Sequence, residues 1–265
     1  MRRREASQSL RGGSHAGIAA SPPGRAVNAA SPRAHTLFRG CSVATISTCL
    51  FKRGLRNQVI QDVLPLNPAA VPMVGIAYTL RYIPAREDLD RVAVFADRSH
   101  PQRKAIEEYP PGAVMVIDSR GDSRAASAGA ILVTRLMKRG AAGIVTDGGF
   151  RDSPDIAVLD FPAFHRRPSA PTNLVRHHAV DINVPIGCGD APVFPGDVIV
   201  GDAEGVIVVP AELAAEVAEE AAEMTEFEAF VIEEVRLGRS IFGLYPPTDP
   251  ETLSQFAQWR IRRQR

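Results

Sequence analysis

Residues 140–155 read GAAGIVTDGGFRDSPD, a short apolar run that breaks into glycines and then sets an arginine beside an aspartate, with Asp147, Arg151, Asp152 and Asp155 inside nine residues. These residue types have complementary chemistry. A guanidinium grips a carboxylate or oxyanion through two parallel hydrogen bonds, and a carboxylate suits a hard cation such as Mg2+. A helix beginning near Ala128 to Leu132 adds unpaired backbone N–H groups that favour an anion. Brought together at a strand end, the three make a small-molecule site. A neighbouring Arg and Asp also often form no more than a surface ion pair, so spacing alone leaves both readings open. Asp147 has two readings as well: it orients Arg151, or it satisfies backbone donors in the glycine turn.

The elements that must position this loop are legible around it. PPGAVMVIDSRGD reads as a Pro-Gly turn followed by a strand buried on both faces. AGAILVTRLMKRG places Ile131, Leu132, Arg135, Leu136 and Arg139 on successive helical turns and stops at Gly140. GIVT is the next strand, so residues 113–146 form a strand-helix-strand crossover with Asp147 to Asp155 at the C-terminal end of its second strand. Upstream, SVATISTCLFKRG carries Val43, Ile46, Cys49 and Leu50 at helical spacing and ends at Gly54, and PMVGIAYTLRYI reads as a strand. Downstream, FPGDVIVGDAEGVIVVP folds back at AEG as a hairpin. Pro210 then opens a helix with an apolar stripe through Leu213, Val217, Ala221, Met224, Val231 and Val235, and the nine Glu of residues 211–235 read mainly as its solvated face.

Composition narrows the setting. A chain of 265 residues with 45% hydrophobic content can bury a full core. It has no stretch near the roughly 18 uninterrupted apolar residues of a membrane-spanning helix. Its net charge of +1 is uneven: before Asp62 the only acid is Glu5, against ten Arg and Lys. Residues 1–41, rich in Arg, Ser, Ala, Gly and Pro, are expected to be a disordered basic extension, either a targeting segment or a flexible arm, and dispensable for stability, assembly and catalysis. Phe38 is the lone aromatic there, which disfavours a nucleic-acid-binding arm. Residues 248–265 are expected to be a basic C-terminal tail. Cys41, Cys49 and Cys188 are odd in number and lack CxxC spacing, which points to free thiols and a cytoplasmic setting.

Other chemical side chains read as structural. His177 and His178 are adjacent, so in a strand they face opposite ways and cannot chelate one ion. His165 has no second ligand at metal spacing and reads as a surface or loop histidine. Cys188, between glycines, reads as a small packed residue.

The combination of LxxRxxKRGAAGIVTDGGFRDSPD with VPIGCGDAPVFPGDVIVGDAEGVIVVP resembles the family of the ribonuclease regulator RraA and the class II 4-hydroxy-4-methyl-2-oxoglutarate / 4-carboxy-4-hydroxy-2-oxoadipate aldolases, over residues 42–247. Gly129, Gly140, Gly143, Asp147, Gly148, Arg151 and Asp152 keep that family's mutual spacing. The resemblance implies an α/β fold, a layered α/β/β/α sandwich of the swivelling β/β/α type, assembled as a homotrimer or dimer of trimers. It gives Arg151 the substrate, Asp152 a Mg2+ or Mn2+ ion, and the backbone of Gly129, Ala130, Ile131 and Leu132 the 2-oxo acid. The implied activity is metal-dependent carbon-carbon cleavage, by aldol cleavage to pyruvate or decarboxylation of oxaloacetate. The alternatives are a regulator that docks on a ribonuclease, with the acidic helix around Glu216 to Glu234 as its surface, and a lyase or dehydratase of sugar-derived 2-oxo acids. One position departs from the pattern: where the family usually has Glu or Asp after the helix-start glycine, this chain has Ala130, and a missing outer-sphere acid weakens the orientation of a metal's waters.

Overall fold

A computed structural model describes residues 31–263. The chain opens with α1 (Pro32–Phe38) and α2 (Val43–Lys52), followed by short strands β1 (Val59–Ile60) and β2 (Leu64–Pro65) and the long strand β3 (Met73–Pro84). Helix α3 (Pro101–Glu107) leads into β4 (Ala113–Asp118), β5 (Ala126–Ala128), α4 (Ala130–Lys138) and β6 (Gly143–Thr146). Then come β7 (Gly149–Phe150), α5 (Ser153–Ala157), β8 (Ala163–His165), β9 (Arg167–Pro168) and β10 (His177–Ile182). Two hairpins follow, β11 (Ile186–Cys188) with β12 (Ala191–Val193) and β13 (Val198–Asp202) with β14 (Gly205–Val209), and the chain closes on α6 (Ala214–Arg236) and α7 (Pro250–Arg263).

Nine strands form one sheet in the order β1-β14-β13-β3-β4-β6-β8-β2, with β10 added against β3. The crossover expected over residues 113–146 is present, β4 and β6 being parallel neighbours. Strand alternation sorts side chains into three cores. Val198 and Val200 of β13 and Ile207 and Val209 of β14 face α1, α2 and α6. Met115 and Ile117 of β4 and Ile144 of β6 face α3 and α4. The alternate residues Val114, Val116, Val145, Ile199, Val206 and Val208 face inward, against one another and against the β11–β12 hairpin. The sheet curls so far that a Cβ added to Gly201 on β13 would lie 2.7 Å from Cζ of Phe164 on β8; only a glycine fits there. Helices outside and two facing runs of strand inside give the α/β/β/α layering.

Both ends of the chain depart from expectation. The N-terminal 30 residues lie outside the described ones, but the supposed extension contains α1 within residues 31–41. Ser31 Oγ caps it by accepting from Ala34 N, proline occupies its first turn, and Ala34 and Phe38 are buried against α6. Nor is the C-terminal segment a solvated tail: α7 buries Phe256 and Trp259 against Phe230 and Leu244, and Trp259 Nε1 donates to Glu233 at 2.6 Å. The glutamates of α6 are not simply solvated either. Glu216 and Glu220 pair with Arg53, Glu220 also with Lys52, and Glu219 with Arg33, tying α6 to α1 and α2.

Candidate functional site

The crossover delivers the site to one end of the sheet. Beneath it, Ser119, Ser127 and Thr146, at the ends of β4, β5 and β6, share buried hydroxyl hydrogen bonds of 2.7–3.1 Å. Strand β5 pairs in parallel with β7, and β7 with β9, a small second sheet that carries the chain from Gly148 out to Arg151. Arg151 N donates to Ala128 O at 3.1 Å, which fixes the arginine beside the start of α4.

Gly129 is the N-cap of α4, and its missing side chain is what lets the loop close. A Cβ there would lie 2.6 Å from Arg151 Cγ and 2.9 Å from Asp152 Oδ2. Asp152 Oδ2 instead accepts from Ala130 N at 3.3 Å and lies 3.5 Å from Arg151 Nε. Asp152 takes a left-handed conformation, φ 54° and ψ 34°, as N-cap of α5, a region that Asp tolerates better than most side chains. The two side chains are partly exposed and open on a crevice of about 200 Å³. Gly129, Ile131 and Leu132 line it with them; Ala130 contributes its amide to Asp152. Arg151 and Asp152 thus lie beside the helix start formed by Gly129 to Leu132, and Ile131 is 83% exposed.

The rest of the lining comes from segments that sequence reasoning did not single out. Phe95, Gln102 and Arg103 arrive from the stretch before and within α3, and Thr172 and Asn173 from the turn before β10. The Arg103 guanidinium carbon lies 4.3 Å above the Phe95 ring. The only local hint was polarity at helical positions that the structure buries.

Other candidates sort away from this crevice. Asp147 does not orient Arg151: its carboxylate accepts from Ser119 N at 2.7 Å, Gly121 N at 2.8 Å and Gly189 N at 3.3 Å, so it serves the backbone. Next to it, burial pushes the Asp118 carboxyl up to about 6, the Asp147 charge adding to the effect. Asp155 is exposed in the first turn of α5. His165 is no surface histidine; it is buried in β8, stacked on Phe150 with ring centroids 5.5 Å apart, and burial pushes it down to about 4. Period-two alternation in a strand only three residues long could not reveal that placement. His177 and His178 do face opposite ways, the first stacked on Tyr82 and the second bonded to Asp90. Cys188 is fully buried, and burial raises its thiol well above the ordinary range.

Asp152 is the one acidic residue lining the crevice, and among the described residues no three His, Cys, Asp or Glu converge as a metal cage. A cation held wholly by protein therefore does not fit. One bound through a single carboxylate, with water and substrate oxygens completing its shell, does fit, and that is the habit of Mg2+.

A family profile described as RraA-like, Aldolase/RraA, matches residues 43–208. A Halalkalibacterium halodurans protein named "Putative 4-hydroxy-4-methyl-2-oxoglutarate aldolase" is 38% identical over 175 residues, 66% of this chain and 75% of its own length. Among solved structures, Streptomyces coelicolor RraAS2, an unusual member of the RNase ES inhibitor RraA protein family, aligns with TM-score 0.67 and 27% identity over 77% of this chain and 97% of its own. A Pseudomonas syringae pv. tomato protein aligns with TM-score 0.70 over 82% of this chain and 99% of its own, and at 24% identity the likeness is one of fold. With more than half its length matched by that profile, and with the glycine, arginine and aspartate of its loop gathered at one helix start, the chain belongs to the aldolase/RraA family.

Proposed function

We propose that the chain is a metal-dependent lyase that breaks a carbon-carbon bond of a small 2-oxo acid, by aldol cleavage to pyruvate or by decarboxylation of an oxaloacetate-like substrate. The observation that carries this is the closure of Arg151 and Asp152 onto the start of α4 over Gly129. A docking surface needs no such convergence in the lining of a crevice, and α6, the acidic surface a regulator would use, already spends Glu216, Glu219 and Glu220 on α1 and α2.

The substrate carboxylate lies against the positive end of α4 and is gripped by the Arg151 fork. Asp152 would hold Mg2+ or Mn2+, which when bound supplies Lewis acidity to the 2-oxo acid. Arg151 stabilises the negative charge that develops as the carbon-carbon bond breaks. Ile131 and Leu132 present apolar surface to the crevice. A Schiff-base route has no candidate in the loop, because Lys138 sits in the last turn of α4.

The buried free thiols fit a cytoplasmic protein, and no helix among the described residues is long and apolar enough to cross a membrane. We propose a homotrimer or dimer of trimers, to be measured as a light-scattering mass against the 28.5 kDa chain. The activity test is pyruvate release from oxaloacetate and from 4-hydroxy-4-methyl-2-oxoglutarate, with Mg2+, with Mn2+ and with EDTA. Cation-dependent release from either supports the lyase. Silence with both substrates under all conditions removes it in favour of the regulator or of a lyase for sugar-derived acids.

A further inference from the structure

A second cavity, of about 410 Å³, opens beside the ends of β4 and β6 and shares no lining residue with the crevice. Five charged residues line it, and most of that charge is already answered. The Arg166 guanidinium pairs with Asp62. The Asp147 carboxylate accepts its three amide bonds from Ser119, Gly121 and Gly189. One guanidinium and one carboxylate remain. Arg120 engages Nη2, on Arg176 O at 2.9 Å and on His177 Nδ1 at 3.3 Å, while its Nε and Nη1 and the Asp190 carboxylate have no partner among the described residues. The two residues are held on neighbouring loops, since Gly121 N and Gly189 N, each adjacent to one of them in sequence, donate to the same oxygen, Asp147 Oδ2. Both are exposed in the cavity lining, and no ion pair joins them. They also stand where a side chain is costly. Among the described residues five other than glycine have a positive φ, and three of them, Asp62 at 59°, Arg120 at 60° and Asp190 at 63°, line this cavity; a fourth, Asp152, lines the crevice. Left-handed backbone favours glycine, and residues that hold a side chain there cluster at ligand sites.

We propose that this cavity binds a free α-amino acid, Arg120 taking its carboxylate and Asp190 its ammonium group. Two unpaired charges of opposite sign, facing one cavity from neighbouring loops, match a ligand that carries both. The open N–H groups of Arg120 suit a carboxylate, and an ammonium brings three donors to Asp190. A simple carboxylic acid would answer Arg120 and leave Asp190 unpaired, an amine would do the reverse, and a phosphate would meet the Asp190 charge. On the side of Gly187, where an added Cβ would meet nothing within 4 Å, the cavity has room for the amino acid's own side chain. A 2-oxo acid lacks the ammonium, so this site is separate in chemistry as well as in place from the crevice, and it stands whether or not the crevice cleaves such acids.

The test is a melting-temperature screen of the full chain against the common L-amino acids, one at a time, followed by calorimetric titration of those that stabilise it. Each is compared with the acid that lacks its amino group and the amine that lacks its carboxylate. Both counterparts are expected to bind about tenfold more weakly, as loss of a hydrogen bond to a charged group would give. In Asp190→Asn, where asparagine also accepts the left-handed backbone, the preference over the deaminated acid should fall toward one; in Arg120→Gln the preference over the amine should do so. Because each readout is a ratio within one protein, loosened packing moves both ligands together and does not imitate the effect. Arg151→Lys, which alters the crevice alone, should bind the amino acid as the wild type does. If no amino acid binds, or if the preferences survive in both Asp190→Asn and Arg120→Gln, the site is overturned. Loss of binding in Arg151→Lys also overturns it, by placing the amino acid in the crevice.

Discussion

Asp152 holds a left-handed backbone conformation, φ 54° and ψ 34°, which costs an ordinary side chain about 1–2 kcal/mol and costs Asp or Asn less. Asp152→Ala would therefore mix backbone strain with loss of charge, whereas Asp152→Asn isolates the charge. We expect Asp152→Asn to reduce cation-dependent pyruvate release to background while its melting temperature stays within about 4 °C of wild type, because an exposed loop carboxylate contributes little to the core. Substantial turnover would move the cation elsewhere. At Ala130, whose amide donates to Asp152, Ala130→Glu would place an acid beside the proposed cation site. The helix start favours that acid by about 0.3–1 kcal/mol, and Mg2+ affinity by calorimetry is expected to rise about tenfold. Weaker Mg2+ binding would instead make the alanine an adaptation to a bulkier substrate. Arg151, Asp152 and Gly129 were legible because one contiguous motif and the helix before it hold them all. Gln102 and Asn173 were not, since they reach the crevice from segments distant in sequence.

The central crossover, both its strands and the β13–β14 hairpin were readable from apolar period and Gly or Pro punctuation, because each is long enough, or buried enough, to carry its own signal. The terminal helices were hidden by shortness and polarity. In α1 Ala34 and Phe38, one helical turn apart, are buried and Leu37 packs partly buried beside them, and they sit among Ser, Pro, Arg and Ala that resemble an unstructured arm. In α7 the buried face is Thr252, Phe256 and Trp259, spaced by four and three; that period was present but was outweighed by the charge of the arginines around it. Burial changes what truncation should do. Phe38→Ala is expected to cost about 3–5 kcal/mol in urea unfolding, as removal of a fully buried aromatic ring does, and removal of residues 1–40 should lower the melting temperature. A variant as stable as wild type would mean that α1 does not pack on α6 in solution.

At the scale of the whole molecule, the layered sheet buries histidines as neutral rings, and this sets how the fold responds to acid. Burial is the leading cause that lowers His35, His100, His165 and His177, with His165 pushed down to about 4. An unfolded histidine takes up its proton near 6.5, so between about 6.5 and 4 the unfolded chain binds more protons at His165 than the folded one does, and the other three act in the same direction as pH falls below 6.5. Their contribution to stability is thus fully present above pH 6.5 and is lost as pH falls through that window. Asp118 works the other way. Raised to about 6, it binds its proton more readily in the folded state, so it favours the fold as pH falls below 6, and one aspartate partly offsets the several histidines. His165→Phe separates the contributions, because Phe keeps a ring against Phe150 and removes the titrating imidazole, whose Nδ1 has no protein partner. Urea unfolding at pH 7.5 and pH 4.5 is expected to show wild type losing more stability than His165→Phe, by on the order of 2 kcal/mol. Any general cost of fitting the larger ring appears equally at both pH values and cancels from that difference. Parallel losses in the two proteins would show that His165 takes up its proton in the folded state as readily as in the unfolded one.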